Sequence, residues 1–60
     1  MASFELFTDK AGEYRWRLRS GNNEIIASSG EGFKAKAGAK NGIEAVKRDA
    51  ASADVKDLTG

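Results

Sequence analysis

These sixty residues predict a small α+β domain: three consecutive antiparallel strands, one helix packed across them and a short closing strand, β-β-β-α-β. Three observations carry the prediction. Glu13 to Arg19 (EYRWRLR) alternate without a fault, with Tyr14, Trp16 and Leu18 on one side and Glu13, Arg15, Arg17 and Arg19 on the other. Side chains in a strand alternate between faces, so this is a strand with one buried face. Turn-forming segments, Asp9-Lys10-Ala11-Gly12 and Ser20-Gly21-Asn22-Asn23, bracket it at hairpin spacing. Beyond Phe33 the period changes: Ala39, Ile43, Val46 and Ala50 mark one face of a helix.

The first strand runs from Ser3 to Thr8, with Phe4 and Leu6 set against Glu5 and Phe7. A three-residue loop, Lys10-Ala11-Gly12 with Gly12 left-handed, closes the first hairpin. That register pairs Leu6 with Trp16 and Phe4 with Leu18 on one face. On the other it sets Glu5 opposite Arg17 and Phe7 opposite Arg15, an ion pair and a cation–π contact worth about 0.2–1 kcal/mol each. The second turn reads as a two-residue loop at Asn22-Asn23. It pairs Leu18 with Ala27 and Trp16 with Ser29, adds Ile25 and Ala27 to the apolar face, and leaves Ile26 beside Arg19 on the open face. Such a turn requires positive φ at both asparagines.

Gly30-Glu31-Gly32-Phe33 breaks the strand pattern, and a helix is expected from about Lys36 to Asp49. Lys40, Glu44 and Arg48 form an i, i+4 ladder on its exposed side. Gly38 and Gly42 each cost up to about 1 kcal/mol relative to Ala. Close backbone approach to an aromatic ring would compensate at Gly42, whereas nothing in the sequence accounts for Gly38. Ala35, at the N-cap, has no side-chain acceptor for the first free amides. Asp54 to Leu58 (DVKDL) reads as the final short strand.

Composition excludes several kinds of function. A chain of this length is a single domain, residues 1–60, and buries only about 60% of its unfolded surface, which makes a lone monomer marginal. With no cysteine or histidine, disulfides, thiolate chemistry and nearly all zinc arrangements are absent, and self-association is the remaining remedy. No metal or cofactor is expected. No apolar run approaches a membrane span and the N-terminus has no basic-then-apolar leader pattern, so the expected location is the cytoplasm. Ten basic residues stand against nine acidic ones, a net charge of +1, lower than a dedicated nucleic-acid binder usually carries.

The runs FELFTDKAGEYRWRL, EIIASSGEGF and KAKAGAKNGIEAVK closely resemble the YegP-like family of small proteins of uncharacterised function, from Phe4 to Leu58. The resemblance implies β-β-β-α-β units that occur either as a tandem duplication or as single copies that dimerise. In both, two units share one sheet and exchange C-terminal strands. A single unit here therefore implies a homodimer, and the Asp54–Leu58 strand gains a partner subunit to pair with. Family members often carry Ser or Thr around positions 34 and 35 and Asn-Gly at 22 and 23. Lys34, Ala35 and Asn23 depart from that pattern.

Neither the residues nor the resemblance points to catalysis. The carboxylates are scattered, with no spaced pair fit for acid–base work, so no catalytic residue is assigned and the chain reads as a non-enzyme. Gly30-Glu31-Gly32 before a helix lacks the Gly-Lys-Ser/Thr of a phosphate loop, and Glu31 would repel phosphate, so a sharp strand-to-helix exit is the better reading. The binding candidates are Arg15, Arg17 and Arg19 with Phe7 and Ile26. Three readings of that face stand: a solvated surface neutralised by Glu5, Glu13 and Glu24, a protein-docking surface, or a nucleic-acid or polyanion surface. The low net charge ranks nucleic acid below the others. The chain is expected to be a small dimeric binding or accessory module.

Overall fold

The computed structural model describes residues 1–60. Strands β1 (Ser3–Thr8), β2 (Tyr14–Arg19) and β3 (Ile25–Ser28) form an antiparallel sheet in the order β1-β2-β3. Helix α1 (Lys36–Asp49) follows, ending in a single 3₁₀ turn at Ala50–Ser52. The three-stranded sheet with one helix is the expected α+β arrangement. The closing strand is not formed within the chain: Asp54 to Leu58 joins no ladder, and Val55 and Leu58 are 96% and 90% exposed.

The first hairpin has the expected register, with Phe4 opposite Leu18, Glu5 opposite Arg17, Leu6 opposite Trp16 and Phe7 opposite Arg15. Gly12 takes φ +80°, its amide donates to the Asp9 carbonyl, and the Asp9 amide donates to the Glu13 carbonyl. The second hairpin corrects the expected loop. Its turn is three residues long, Gly21-Asn22-Asn23, closed by Asn23 N–H to Ser20 O and Ser20 N–H to Glu24 O, with only Asn23 left-handed at φ +70°. The additional loop residue is absorbed by a register shift between Leu18 and Arg19. Leu18 therefore still faces Ala27, and Ser29 N–H still reaches Trp16 O. Arg19, however, faces Ile25 rather than Ile26, which moves Ile25 from the apolar face to the arginine face.

The exit from β3 depends on its glycines. Gly30 takes φ +74°, and a Cβ on Gly32 would collide with the side chain of Glu13. Both glycines thus serve the chain path, which then returns to the sheet through a reciprocal pair of hydrogen bonds between Tyr14 and Phe33. Helix α1 packs across β2 and β1. Ala39 is wholly buried and Trp16 is 7% exposed, and no other residue is buried. Phe4 meets Trp16 edge-to-face at 5.6 Å, while Leu6, Leu18, Ile43 and Val46 are half-buried. Both helix glycines have a packing reason: a Cβ at 42 would stand 3.0 Å from Trp16 Nε1, and one at 38 would stand 3.3 Å from Phe33 Cδ1. Ala35 caps the helix in extended conformation with no side-chain bond, as expected. The Lys40-Glu44-Arg48 ladder is not made; Glu44 reaches Lys47 at 3.7 Å and Arg48 turns to Asp49 at 3.1 Å.

Candidate functional site

Strand alternation and register bring Arg15, Arg17 and Arg19 onto the sheet face opposite the helix, together with Glu5 and Phe7 of β1 and Ile25 of β3. Glu5 Oε1 accepts from Nε of Arg17 at 2.6 Å and from Nε of Arg19 at 2.9 Å. The Arg17 half of this arrangement follows from the register, because the two residues are cross-strand partners. Arg15 is held by a residue the sequence marks only as part of a turn. Asp9 Oδ1 accepts from the amides of Ala11 and Glu13, pinning the loop, and Oδ2 accepts from Arg15 Nε at 2.5 Å. An Asp opening a turn commonly bonds its own backbone; the free second oxygen beside the next strand was the signal for the ion pair.

The cation–π contact is also reassigned. Arg15 lies opposite Phe7, but it turns to Asp9, and the guanidinium over the Phe7 ring is that of Arg17, 4.7 Å from its centroid. Glu13 and Glu24 form no ion pair with the row. Ile26 is 60% exposed and Ile25 54% exposed, with Ile25 the direct neighbour of Arg19. The electrostatics follow from these partners. Hydrogen bonds from Arg17 and then Arg19 hold the Glu5 carboxyl below the usual carboxylate range. The Arg15 bond, followed by the Glu13 amide, does the same for Asp9.

A second feature lies on the other side of β1. A shallow cavity of about 420 Å³ is lined by Leu6, Phe7, Thr8, Tyr14 and Lys36, where the start of the helix overhangs the sheet edge. No group of three or more His, Cys, Asp or Glu side chains converges to hold a metal, and no helix is long and apolar enough to cross a membrane.

Comparison with known proteins agrees with this architecture. A solution structure of a protein from Haloferax volcanii superposes with a TM-score of 0.87 at 54% identity, covering 95% of each chain. A UPF0339 protein of Agrobacterium fabrum is 54% identical over 59 residues, 98% of this chain and 94% of that protein. A UPF0339 protein encoded in the 5′ region of the ptx operon of Stutzerimonas stutzeri is 50% identical over 48 residues, which are 80% of this chain but only 42% of that longer protein. Residues 9–57 match the family described as a domain of unknown function, DUF1508, which carries no assigned activity. The resemblance read from the β2 strand, the Gly30–Phe33 exit and the helical block thus holds over nearly the whole chain, and this protein belongs to the uncharacterised DUF1508 (UPF0339) family.

Proposed function

We propose that the chain is a small dimeric binding module with no chemistry of its own, in which two copies share one sheet and exchange their C-terminal segments. The observation that carries this is the surface one copy leaves open. A folded monomer of 6.4 kDa exposes about 3,800 Å² by the scaling of surface with mass, whereas this chain exposes 4820 Å². The excess is close to the area each partner buries in a standard interface, about 800 Å².

The open edge of β1 supports the same reading. In an antiparallel pair only alternate residues bond to the neighbouring strand. The Asp9–Glu13 closure makes Phe7, Glu5 and Ser3 the bonded positions of β1, so the backbone of Phe4, Leu6 and Thr8 faces outward as an open edge. An extended segment from another chain completes such an edge. Asp54 to Leu58 joins no ladder within its own chain. Paired to that edge, one of its exposed Val55 and Leu58 would meet the Leu6 and Tyr14 walls of the adjacent cavity, and the other, three residues away, would turn to the opposite face. The longer Stutzerimonas relative, of which this unit matches 42%, has room for a second unit in one chain.

The non-enzymatic part of the reading rests on Glu5 and Asp9. Tied to arginines and held ionised, they are poorly placed to exchange protons near neutral pH. The absence of cysteine suits work in the cytoplasm. The arginine face, on the side away from the helix, is the surface such a module offers. Analytical sedimentation tests the assembly: the expected species has twice the chain mass, and Val55→Asp with Leu58→Asp shifts it toward monomer. A well-folded monomer at micromolar concentration overturns the reading.

A further inference from the structure

We propose that the Arg15-Arg17-Arg19 row is a docking surface for the phosphodiester backbone of single-stranded nucleic acid. This rests on the reading of that face as the module's binding surface, and it does not depend on the dimer. The decisive feature is which nitrogen each carboxylate takes. Glu5 and Asp9 hold all three arginines through Nε, the inner nitrogen. A guanidinium presents five donors in a planar fork. Clamped from the inside, Arg15 and Arg17 keep both terminal amino groups free of protein partners, and Arg19 gives only Nη1, to the Asn23 carbonyl at 3.0 Å. The Phe7 ring under Arg17 fixes the plane of the central guanidinium.

The carboxylates therefore order the row as well as offsetting its charge. Three guanidinium groups against two carboxylates leave one excess positive charge on the face. Glu13 turns toward Gly32 and Glu24 lies in the second turn, so neither opposes an arginine directly. Each arginine arrives with its conformation already set, which reduces the ordering cost of binding.

Repeated fork donors suit a linear polymer of repeated anions. Residues two apart in a strand stand about 6.7 Å apart on one face, and each fork can engage both free oxygens of a phosphodiester. The row lies on the sheet itself, with no helix or ribbon projecting on that side to enter a duplex groove, which favours a single strand. Exposed Ile25 beside Arg19, with Ile26 next to it, supplies an apolar margin for bases without reading their sequence.

The test is titration of fluorescein-labelled oligo(dT) and oligo(U) with the wild-type protein, at salt between about 50 and 200 mM. Saturable binding of either is expected, and the two probes separate DNA from RNA. Neutralising three phosphates on a single strand predicts a log–log salt slope of about −2, and each Arg→Gln replacement along the row lowers its magnitude by about 0.7. Arg15→Gln, Arg17→Gln and Arg19→Gln together abolish binding, whereas Lys40→Gln with Lys47→Gln, on the helix side, leaves it unchanged. Should the triple variant not fold, NMR of the wild-type keeps the test open: the Nε–Hε signals of Arg15, Arg17 and Arg19 shift on titration. The proposal is overturned by no saturation up to about 100 μM protein in low salt, by shifts confined to the helix lysines, or by equally tight binding of polyglutamate. Sedimentation of the same samples reports the dimer separately, so a lost oligonucleotide signal with an intact dimer overturns this proposal alone.

Discussion

The backbone of Gly42 abuts the indole edge of Trp16 so closely that a Cβ at position 42 would stand 3.0 Å from Nε1. Trp16 is one of only two buried residues, and its Nε1 is buried without a hydrogen-bond partner. The close approach lets the central ring of the sheet sit beneath the helix, and it accounts for a residue that helix propensity disfavours.

Gly42→Ala sets two effects against each other. The helix gains about 1 kcal/mol in propensity, while overpacking against a ring with no room to move costs about 1–3 kcal/mol. The expected net loss is about 1 kcal/mol, a fall of several degrees in Tm for a domain of this size. Gly38→Ala meets Phe33 at 3.3 Å, and that ring is only half-buried and has space to shift. It should be neutral or slightly stabilising. Thermal melts of the two variants side by side check the ordering; a Gly42→Ala protein as stable as wild-type contradicts it.

Asn23→Gly should stabilise. Asn23 holds φ +70°, a conformation that costs a residue with a Cβ about 1–2 kcal/mol and asparagine somewhat less. Its carbonyl contact with Arg19 is made by the backbone and survives the change. A gain of about 0.5 kcal/mol is expected, measured as a higher urea midpoint at an unchanged slope. The benefit arises at one left-handed position, so Asn22→Gly should bring no comparable gain.

Register was readable from sequence wherever two faces constrained it together. In the first hairpin Leu6–Trp16 and Phe4–Leu18 inside agree with Glu5–Arg17 outside, and a one-residue slip would invert every one of them. The second hairpin lacks that double constraint. Two- and three-residue loops both place Leu18 opposite Ala27 once a bulge absorbs the difference, so the loop length was hidden while the inner pairing was not. The arginine partners were partly hidden for another reason: periodicity assigns a side chain to a face, but the choice between a directly opposite and a diagonal neighbour is a rotamer matter. Arg17 reaches both Glu5 and Phe7, which displaces Arg15 to Asp9. Asp54 to Leu58 lacks a clean period of two, since Val55 and Leu58 are three apart. It joins no ladder within its own chain.

Ala35→Asp should raise stability. Ala35 already has the extended φ and ψ of an N-cap, −118° and 142°, and the first turn of α1 contains no acidic residue. A carboxylate there accepts from a free first-turn amide and meets the positive end of the helix dipole. About 1 kcal/mol is expected. Ala35→Ser supplies the hydrogen bond without the charge, so raising the salt concentration should narrow the gap between the two variants.

Stability should also fall in acid, with Glu5 and Asp9 setting the window. Both carboxyls are depressed in the folded chain, Glu5 by Arg17 and Arg19 and Asp9 by Arg15 and the Glu13 amide. In the unfolded chain they titrate at about 4.3 and 3.9. The unfolded state therefore takes up protons first as pH falls, and folding stability declines wherever it binds more protons than the folded state. The contribution is complete above the unfolded values and is lost progressively below about pH 4.5, down through the lower folded values. Urea midpoints measured at neutral pH and stepwise into acid should follow that course. Glu5→Gln with Asp9→Asn should be less stable at neutral pH yet lose less on acidification, because the two groups that release stability are gone. An equally steep acid loss in that double variant would place the titrating groups elsewhere, with Asp57, whose carboxyl Thr59 holds below its usual range, next to be replaced.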